Sequence, residues 1–595
     1  MKKLVSLLLV LALCLGAMVG CGEKAEEKTE DVAKESTETV EASTDEGTEA
    51  ETEEAAAEEV SYDEDQVYRF RDGSEVTGFN PLLNTTGPDN GVANYILETL
   101  VTSVANKDDL AETRPAACER WEVSDDGLTY TFYIREDAVW NDGVKVTAND
   151  FEFTYRTMAT PEVASSNAWL FDGIIENFGD ALYGENGVKP EDIGVKALDE
   201  NTLEIKLVKP YSYFLDLLEG AKPVREDKWN EFGSEYGTAP EKMVTNGPFK
   251  VEEWEQNVQM VLVASENYWN NENNIIKRLE RKIIVDSPVA AQSLIMGEID
   301  DLGLREPELI QMVEAEGDRF YKVESESRAP EFYSFNAANK YFKNAKIRTA
   351  FMLGYDREKY AEFILEGKAK AIYSMIPNNI SVGAELYTTR VNGENEIVKT
   401  LSEQYPDPKE LLIEGLKEEG LDPDPANMEV KLATRGTSEF SKRSSEWQIQ
   451  QWKQTLGVDV KIDMMEWNVM WDRVDAGEYD IATAGWGPYY NDPNGLLSIY
   501  HPVNGYFNSD KTGWVGEDAD RFGQLLDQAA DEPDLQKRAE LYLEAEKILV
   551  GTAIISPTYL SVRPVFVADY LKEYRVNPHV NTTDWTDFYT QGRQN

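Results

Sequence analysis

The alternation of apolar and polar residues predicts short strands interleaved with amphipathic helices through most of the chain. Apolar residues recur at every second position in "NTLEIKLV" and "QMVLVAS", which is the period of a half-buried strand, and "IIVDS" predicts a further strand. The segments "PVAAQSLIMGE" and "LQKRAELYLEAEKILVG" have apolar residues at helical spacing instead. Because strands alternate with helices, the sequence predicts a mixed α/β fold of layered sheets covered by helices.

The first part of the folded body contains both the strand pattern and the helix pattern of apolar residues. Val67 and Phe70 mark a predicted strand, and "GVANYILETLV" predicts a helix after the turn-rich loop "NPLLNTTGPDN". The segments "WEV" and "LTYTFYI" flank the turn "SDDG" and predict a hairpin. The segment "TANDFEFTYRTMA" then predicts a helix with Thr147 or Asn149 as its N-cap.

Aromatic residues are concentrated where a later strand ends. The predicted strand "EYDIA" is followed by "TAGWGPYYNDPNGLL", in which Trp486, Tyr489 and Tyr490 stand among turn-forming glycine and proline. This run is either an aromatic turn packed on the core or a ligand-facing loop on a rigid scaffold. Upstream of it, Trp467 and Trp471 share one face if "MEWNVMWDRV" is helical. Trp471 is either a ligand-facing ring or a core residue.

The N-terminal residues predict export and attachment to the extracytoplasmic face of a membrane. Residues 1–20 have the basic, apolar and small-residue order of a secretory signal. The tetrapeptide "MVGC" resembles a lipobox, in which Cys21 becomes lipidated, and an ordinary cleaved signal is the alternative. Residues 21–65 are acidic and almost free of aromatic and branched apolar residues, which predicts a disordered linker. This linker is either a tether or an acidic interaction tail.

Chain length, net charge and cysteine content argue against several classes of protein. The body of about 530 residues is too long for one hydrophobic core, so two or more domains are expected. The net charge of −53 repels phosphate backbones and argues against nucleic-acid binding. Cys118 is the cysteine left in the body once the signal and the lipidation site are set aside, so no disulfide framework is expected there. Its simplest interpretation is a small buried side chain.

The sequence lacks the motifs of common catalytic centres. His501 and His579 are its two histidines, and it contains no HExxH, GxSxG or GxxxxGK[ST] pattern. We therefore expect no metal, no cofactor and no enzymatic activity, and any energy from ATP must come from another protein. A secreted hydrolase with two catalytic carboxylates stays as an alternative, because 111 acidic residues make any single pair uninformative.

Several separated motifs then occur in one order along the body. The segment "PAACERWEVSDDGLTYTFYIREDAVWNDGVKVTANDFEFTY" resembles the signature of the bacterial extracellular solute-binding proteins of family 5, the oligopeptide, dipeptide and nickel class. The other matching segments are "TNGPFKVEEW", "YWNN", "GEID", "NAKIRTAFMLGYDRE" and "GVDVKIDMMEWNVMWDRVDAGEYDIATAGW". The resemblance extends over about residues 66–590.

This resemblance implies a two-lobed, periplasmic-binding-protein-like α/β fold with an extra subdomain and two chain crossings between the lobes. We expect the crossings near residues 319–332 and 553–563. The implied division is lobe 1 at 66–97, 211–325 and 557–595, the extra subdomain at 98–210, and lobe 2 at 326–556.

The resemblance also implies a function. A cleft between two lobes captures a small-molecule ligand, the lobes close on it, and a membrane permease with its ATPases receives the loaded, monomeric protein. An oligopeptide is the expected ligand, and an oligosaccharide or glycoside is the alternative. A role in signal sensing or peptide capture without transport is compatible with the same fold. The implied ligand-binding residues are Thr85, Thr86, Gly87, Asn167, Phe332, Tyr333, Trp467, Thr483, Gly485, Trp486, Tyr489 and Asp492.

Two positions depart from the pattern of the family. Tyr489 stands where many members have an aspartate for the α-ammonium of a peptide, and a neutral phenol cannot replace that charge. Thr483 stands where some relatives have an arginine for the ligand carboxylate. Either the amine is bound elsewhere, or the ligand is uncharged and stacks on rings. The backbone of residues 331–333 is expected to pair with an extended peptide like an added strand.

Overall fold

The computed structural model describes residues 61–84, 86–106, 111–435, 439–576, 585–586 and 588–593. The predicted signal segment, the lipidation site Cys21 and the site residue Thr85 lie outside these ranges. Within them, no helix combines the length and the apolar character that crossing a membrane requires.

The strands form the sheets of both lobes. They are β1 (Val67–Asp72), β2 (Val101–Ala105), β3 (Ala111–Pro115), β4 (Cys118–Val123), β5 (Thr129–Ile134), β6 (Val195–Ala197), β7 (Thr202–Lys206), β8 (Phe249–Glu255), β9 (Gln259–Ala264), β10 (Arg278–Ile283), β11 (Asp301–Gly303), β12 (Phe320–Glu326), β13 (Glu331–Phe335), β14 (Ala369–Ala371), β15 (Ser381–Val382), β16 (Glu385–Leu386), β17 (Lys431–Arg435), β18 (Lys461–Met465), β19 (Ile481–Gly485), β20 (Ile555–Ala568), β21 (Leu571–Lys572) and β22 (Tyr589–Thr590).

The α-helices cover the sheets and link the strands. They are α1 (Gly87–Ile96), α2 (Ala148–Met158), α3 (Phe178–Tyr183), α4 (Phe214–Leu217), α5 (Glu226–Phe232), α6 (Ser287–Ile295), α7 (Pro307–Glu314), α8 (Ala345–Leu353), α9 (Arg357–Lys359), α10 (Tyr387–Arg390), α11 (Ile397–Gln404), α12 (Pro408–Glu418), α13 (Glu439–Thr455), α14 (Trp467–Asp475), α15 (Asn494–Leu497), α16 (Ser509–Thr512), α17 (Glu517–Asp531) and α18 (Leu535–Gly551).

The first lobe is built on two four-stranded sheets. One has the order β1-β10-β9-β8, with β1 parallel to β10 and the other pairs antiparallel. The other is the antiparallel sheet β4-β5-β7-β6, and α2 buries Phe151 and Tyr155 beneath it. Buried residues of both sheets belong to one continuous hydrophobic cluster. The extra subdomain is therefore packed onto the first lobe and shares its core.

An eight-stranded mixed sheet extends through both lobes, and β13, β14, β17, β18 and β19 are its strands in the second lobe. Its strand order is β11-β20-β13-β19-β17-β18, and β12 and β14 also pair with β20. Strand β17 runs parallel to β18 and β19, whereas β13 is antiparallel to both of its neighbours, β19 and β20. Two further hydrophobic clusters pack this sheet against the helices that cover it.

Two segments connect the cores of the lobes, as the resemblance predicts. Strand β20 has Ile555 in the hydrophobic cluster of the second lobe and Val565 in that of the first, so one strand passes from core to core. The link between β12 and β13 is the other crossing, with Val323 packed on the first cluster and Phe332 inside the second. The predicted two-lobed α/β fold with two crossings is confirmed.

Most local predictions agree with the observed elements. The hairpin is β4 and β5, the predicted C-terminal helix is α18, and Cys118 is fully buried. In α2, Asp150 accepts a hydrogen bond from the Thr147 backbone N–H (2.8 Å), so Thr147 is the N-cap. The strand predicted at "IIVDS" is wrong, because β10 ends at Ile283 and Asp286 already caps α6. The predicted first helix is also displaced, since α1 ends at Ile96.

Candidate functional site between the lobes

A row of aromatic rings joins the two lobes where β19 ends. Trp169, in the 3-10 turn Ala168–Phe171 of the first lobe, meets Tyr489 edge to face with ring centroids 4.8 Å apart. The Tyr489 ring is 6.3 Å from that of Trp486, which lies 5.3 Å from Tyr506. The side chains of Trp169 and Tyr489 are 38% and 41% exposed. We call these four residues the aromatic wall, and both lobes contribute to it.

Trp486 directly follows β19, and this strand positions its ring in the aromatic wall. Its backbone N–H donates to the Pro330 carbonyl (3.2 Å), so the ring is held where β13 begins. The ring is half-buried against the second-lobe core, yet its Nε1 is buried without a hydrogen-bond partner within the described residues. A buried donor left unpaired costs about 1–3 kcal/mol. A ligand oxygen that accepts from this indole would recover that cost.

Tyr490, next to the aromatic wall, forms a second contact between the lobes. Its ring stacks on that of Tyr213 from the first lobe, with centroids 4.1 Å apart and an angle of 8° between the planes. The side-chain amide of Asn494 donates to the hydroxyl of Tyr490 (2.9 Å) and reaches that of Tyr213 (3.4 Å). This contact fixes one side of the loop that carries Tyr489.

Asp492 orders the turn after the aromatic run. Its side chain is 3% exposed and accepts a hydrogen bond from the Asn494 backbone N–H (2.9 Å). The hydroxyls of Ser212 and Tyr542 also interact with its carboxyl, and burial raises its pKa to about 6. The carboxyl of Asp492 is therefore enclosed by these partners and orders the turn, whereas its contact with a ligand stays a prediction.

In the first lobe, the start of α1 is positioned by local hydrogen bonds. Thr86 is the N-cap of α1 and its Oγ1 accepts from the Asp89 backbone N–H (3.3 Å). Gly87 follows it and is exposed. The hydroxyl of Ser166 donates to the Asn84 carbonyl (2.6 Å), which ties this loop to the segment before Trp169. The structure thus brings two of the predicted first-lobe segments together.

Asn167 has an internal role in this segment. Its side-chain amide donates to the Gly220 carbonyl (3.3 Å), and the residue caps the 3-10 turn that carries Trp169. Asn167 therefore positions Trp169, which is the more exposed of the two side chains.

A small polar cavity lies beside the aromatic wall in the second lobe. Its volume is about 80 Å³. The side chains that line it are Glu331, Phe332, Tyr333, Tyr360, Leu432, Thr434, Ser441, Ser444, Ser445, Thr483, Thr558 and Tyr559. Thr483 is half-buried on β19, opposite Tyr333 in register. The position where the family pattern places a charged anchor is thus part of a cavity rich in hydroxyl groups.

The expectation that a peptide adds to residues 331–333 as an extra strand is wrong. Strand β13 is hydrogen-bonded to β19 on one edge and to β20 on the other, so it has no open edge there. Phe332 is 2% exposed and packs against Tyr500 and Phe507, and Tyr333 is 5% exposed. Both are core residues that contribute to the floor of the polar cavity.

Gly485 lies beside a charged neighbour. It lies opposite Glu331 in register, and a Cβ at Gly485 would stand 2.7 Å from the Glu331 Oε1. The glycine therefore leaves room for a carboxylate over the end of β19, directly before Trp486.

Several charged groups meet near the contact between the lobes. Burial raises the pKa of Asp216 to about 7, with smaller contributions from the charges of Glu219 and Asp492. Burial also lowers the pKa of Arg328, in the link between β12 and β13, although Glu219 and Asp216 act in the opposite direction. The lobes therefore meet across ionisable groups as well as rings.

The two tryptophans upstream of the loop lie in α14, so their segment is helical as proposed. Trp471 is 7% exposed and packs against Tyr506 and Phe507, which confirms its interpretation as a core residue. The side chain of Trp467 lies outside the described part of the structure.

The sequence does not predict the residues that reach the site from distant segments. Tyr213 and Tyr506 are absent from the predicted set, as are the hydroxyl groups of Tyr360, Thr434 and Ser441. Their own segments contain no motif that predicts a cleft. For Glu331 the resemblance implies a backbone contact and gives no role to its carboxylate.

No group of three or more His, Cys, Asp and Glu side chains in the described ranges is arranged to hold a metal ion. The site instead offers ring faces, hydroxyl groups, an indole N–H and one carboxylate. Such a mixture binds an organic ligand with both apolar and polar surface.

Comparison with known proteins identifies the family. A family model described as "Bacterial extracellular solute-binding proteins, family 5 Middle" matches residues 112–507, which is more than half of the chain. The chain belongs to this family.

Individual relatives match over most of their length. The Dipeptide-binding protein DppE of Bacillus subtilis (strain 168) is 29% identical over 511 residues, covering 85% of this chain and 89% of the relative. The Periplasmic oligopeptide-binding protein OppA of Salmonella typhimurium is 30% identical over 509 residues, covering 84% and 88%. Among solved structures, MppA Periplasmic Murein Tripeptide Binding Protein, Unliganded Open Form, has a TM-score of 0.74 at 24% identity, covering 89% of this chain and 98% of that one.

Proposed function

We propose that this family member is the extracytoplasmic solute-binding subunit of an ABC importer and that it captures oligopeptides between its lobes. The observation that carries the proposal is the aromatic wall, in which rings from both lobes meet beside an indole N–H that has no acceptor in the described structure. A peptide offers carbonyl oxygens for that donor and side chains for the ring faces. Two relatives named for binding a dipeptide and an oligopeptide support this ligand class.

Lobe closure follows from the same arrangement. A ligand that touches Trp169 on one lobe and Trp486 on the other makes both contacts only when the lobes are close, so it stabilises the closed form. The two crossings, between β12 and β13 and along β20, are the segments that would absorb the change in backbone angles.

A membrane permease with cytoplasmic ATPases is the proposed partner of the loaded monomer. Lipidation of Cys21 and a tether at residues 21–65 would keep the protein at the extracytoplasmic face of the membrane. The protein itself would carry out no reaction. The implied site residues of the first lobe, Thr86 and Gly87, would border the ligand beside the aromatic wall.

The ligand class can be tested on the purified protein. We expect mass spectrometry of the native protein to show a heterogeneous bound mass, and acid release followed by fragmentation to yield short peptides. Recovery of sugars or glycosides alone would contradict an oligopeptide receptor. Intact recovery of added peptides after incubation would separate a receptor from a hydrolase, which returns fragments.

Trp486→Ala should weaken peptide binding by about 2 kcal/mol, which is a roughly 30-fold increase in Kd. The substitution removes the ring face of the aromatic wall and the buried indole donor together. Titration calorimetry with a pool of pentapeptides, on protein freed of its bound ligand, measures the change.

The matched control is Trp121→Ala, which removes a half-buried tryptophan from β4 in a different sheet. We expect this variant to bind the same pool with the Kd of the unsubstituted protein. Equal weakening in both variants would mean that the effect of Trp486→Ala is a general loss of stability, and an unchanged Kd would assign Trp486 to packing alone.

A further inference from the structure

The polar cavity of the second lobe has one charged group among the described residues that line it. Tyr360, Thr434, Ser441 and Thr483 contribute hydroxyl groups, whereas Glu331 contributes a carboxylate. Hydroxyl groups can rotate to accept or donate, but the carboxylate only accepts. The cavity therefore offers a carboxylate and several hydroxyl oxygens as acceptors for a ligand.

Glu331 is held beside the aromatic wall by the strand register. It pairs with Gly485, the residue before Trp486, and the absence of a side chain at Gly485 makes the space for its carboxylate. The Glu331 carbonyl accepts a hydrogen bond from the Thr558 hydroxyl on β20. The backbone that carries Glu331 is thus fixed from both neighbouring strands.

A buried polar atom in the wall of the cavity has no partner in the described structure. Thr434 lines the cavity and is 2% exposed, and its Oγ1 is buried without a hydrogen-bond partner among the described residues. Buried polar groups in native proteins are normally paired, so this hydroxyl is a candidate contact for a ligand or a water molecule.

The cavity is large enough for the end of a side chain. A volume of about 80 Å³ is several times the ~10–15 Å³ that one water molecule needs on a comparable measure. A small charged head group enters such a space more readily than a ring.

We propose that Glu331 binds a positively charged group of the ligand, an ammonium or a guanidinium, in this hydroxyl-lined cavity. A desolvated cation needs an opposite charge together with hydrogen-bond acceptors, and the carboxylate and the surrounding hydroxyl oxygens supply both. The positive group comes either from the N-terminus of a peptide or from a lysine or arginine side chain. The subsite would replace the carboxylate that Tyr489 does not provide, and a ligand carboxylate would be repelled from it.

This inference rests on the proposed peptide-binding function, and the test separates the two. The probes are pentaalanine and five variants with lysine at each position in turn, each compared with its norleucine counterpart and each made with a free and an acetylated N-terminus. We expect one lysine position, or the free N-terminus, to lower the Kd about tenfold relative to the uncharged counterpart, as measured by calorimetry. Acetylation that abolishes the gain identifies the N-terminus as the source of the charge.

Glu331→Gln keeps the size of the side chain and removes its charge. We expect it to abolish the tenfold preference for cationic probes over their uncharged counterparts, and a thermal midpoint close to that of the unsubstituted protein shows that the variant is folded. The control is Glu324→Gln, which removes an exposed carboxylate from β12 and should leave the preference unchanged.

The outcomes are distinct. If peptides bind but cationic and uncharged probes bind equally, or if the preference persists in Glu331→Gln, the Glu331 subsite is refuted and peptide binding stands. If no probe binds the unsubstituted protein, the proposed function fails and the subsite fails with it. Loss of the preference in Glu331→Gln alone supports the subsite.

Discussion

Raising the pH from about 5 to about 8 should lower the free energy of unfolding of this protein by several kcal/mol. The cause is a set of buried carboxyl groups, because burial in the folded chain favours their protonated form over the charged form. Burial raises the pKa of each of them, to about 6 or about 7: Glu98, Asp216, Asp301, Asp492 and Glu546.

The direction of the effect follows from the two states of the chain. In the unfolded chain these carboxyl groups have pKa values of roughly 4, so between about pH 4 and the raised pKa the folded chain binds more protons. Stability therefore falls as the pH rises through that interval. The contribution is fully present below about pH 4 and is lost above about pH 7. Carboxyl groups with lowered pKa values, such as Glu75, make stability rise with pH in the acid range. The measurement is therefore made between pH 5 and pH 8, above that range.

Glu546 offers a direct test of this cause. It is completely buried in α18 and accepts hydrogen bonds from the backbone N–H groups of Met375 (2.7 Å) and Ile376 (2.8 Å) and from the Tyr387 hydroxyl (3.0 Å). Glu546→Gln keeps an acceptor oxygen but cannot ionise. We expect the midpoint of thermal unfolding to fall less between pH 5 and pH 8 in this variant than in the unsubstituted protein.

Glu544→Gln, on the same helix, is the matched control. Glu544 is exposed and pairs with Arg521, so its removal should leave the fall in midpoint as it is. A midpoint that does not change between pH 5 and pH 8, or an equal fall in all three proteins, would contradict the role of buried carboxyl groups.

The same buried groups illustrate what the sequence can and cannot predict. The helix α18 and the hairpin of β4 and β5 follow from periodicity and turn residues, which are local properties. The burial of Glu546 depends on residues that are between 159 and 171 positions away in the chain, and no local pattern distinguishes it from the exposed Glu544.

The sequence of strand β13 itself indicates an interior strand. Its sequence "EFYSF" lacks the alternation of a half-buried strand, and four of its five residues are buried in the structure. Apolar residues on both faces are typical of an interior strand. The expectation of an open edge for peptide pairing conflicted with this pattern, and the pairing of β13 with β19 and β20 explains why.

The sequence predicts the aromatic loop of the candidate site but not the residues that this loop contacts. The aromatic run that contains Trp486 and Tyr489 stands out because rings are placed among turn residues after a strand. Its contacts with Trp169 and Tyr213 join residues that are far apart in the chain, and only the packing of the lobes determines them.

Gly513→Ala should destabilise the second lobe by about 3 kcal/mol or more. Gly513 ends α16 with φ at +66°, a conformation that alanine adopts at a cost of about 1 kcal/mol. A Cβ there would also stand 2.3 Å from the backbone nitrogen of Ala338 and 2.6 Å from its Cβ. The segment cannot easily move away, because the Ala337 N–H donates to the Thr512 carbonyl (2.6 Å).

The control variant Gly393→Ala separates the conformational cost of the substitution from the cost of the steric clash. Gly393 also lies in the second lobe with φ at +70°, but a Cβ there meets no atom within 4 Å, so its substitution carries the conformational cost alone. We expect the thermal midpoint of Gly513→Ala to fall at least twice as far below that of the unsubstituted protein as the midpoint of Gly393→Ala. Equal shifts would show that the loop after α16 yields to the added methyl group, so that the approach to Ala338 adds no cost.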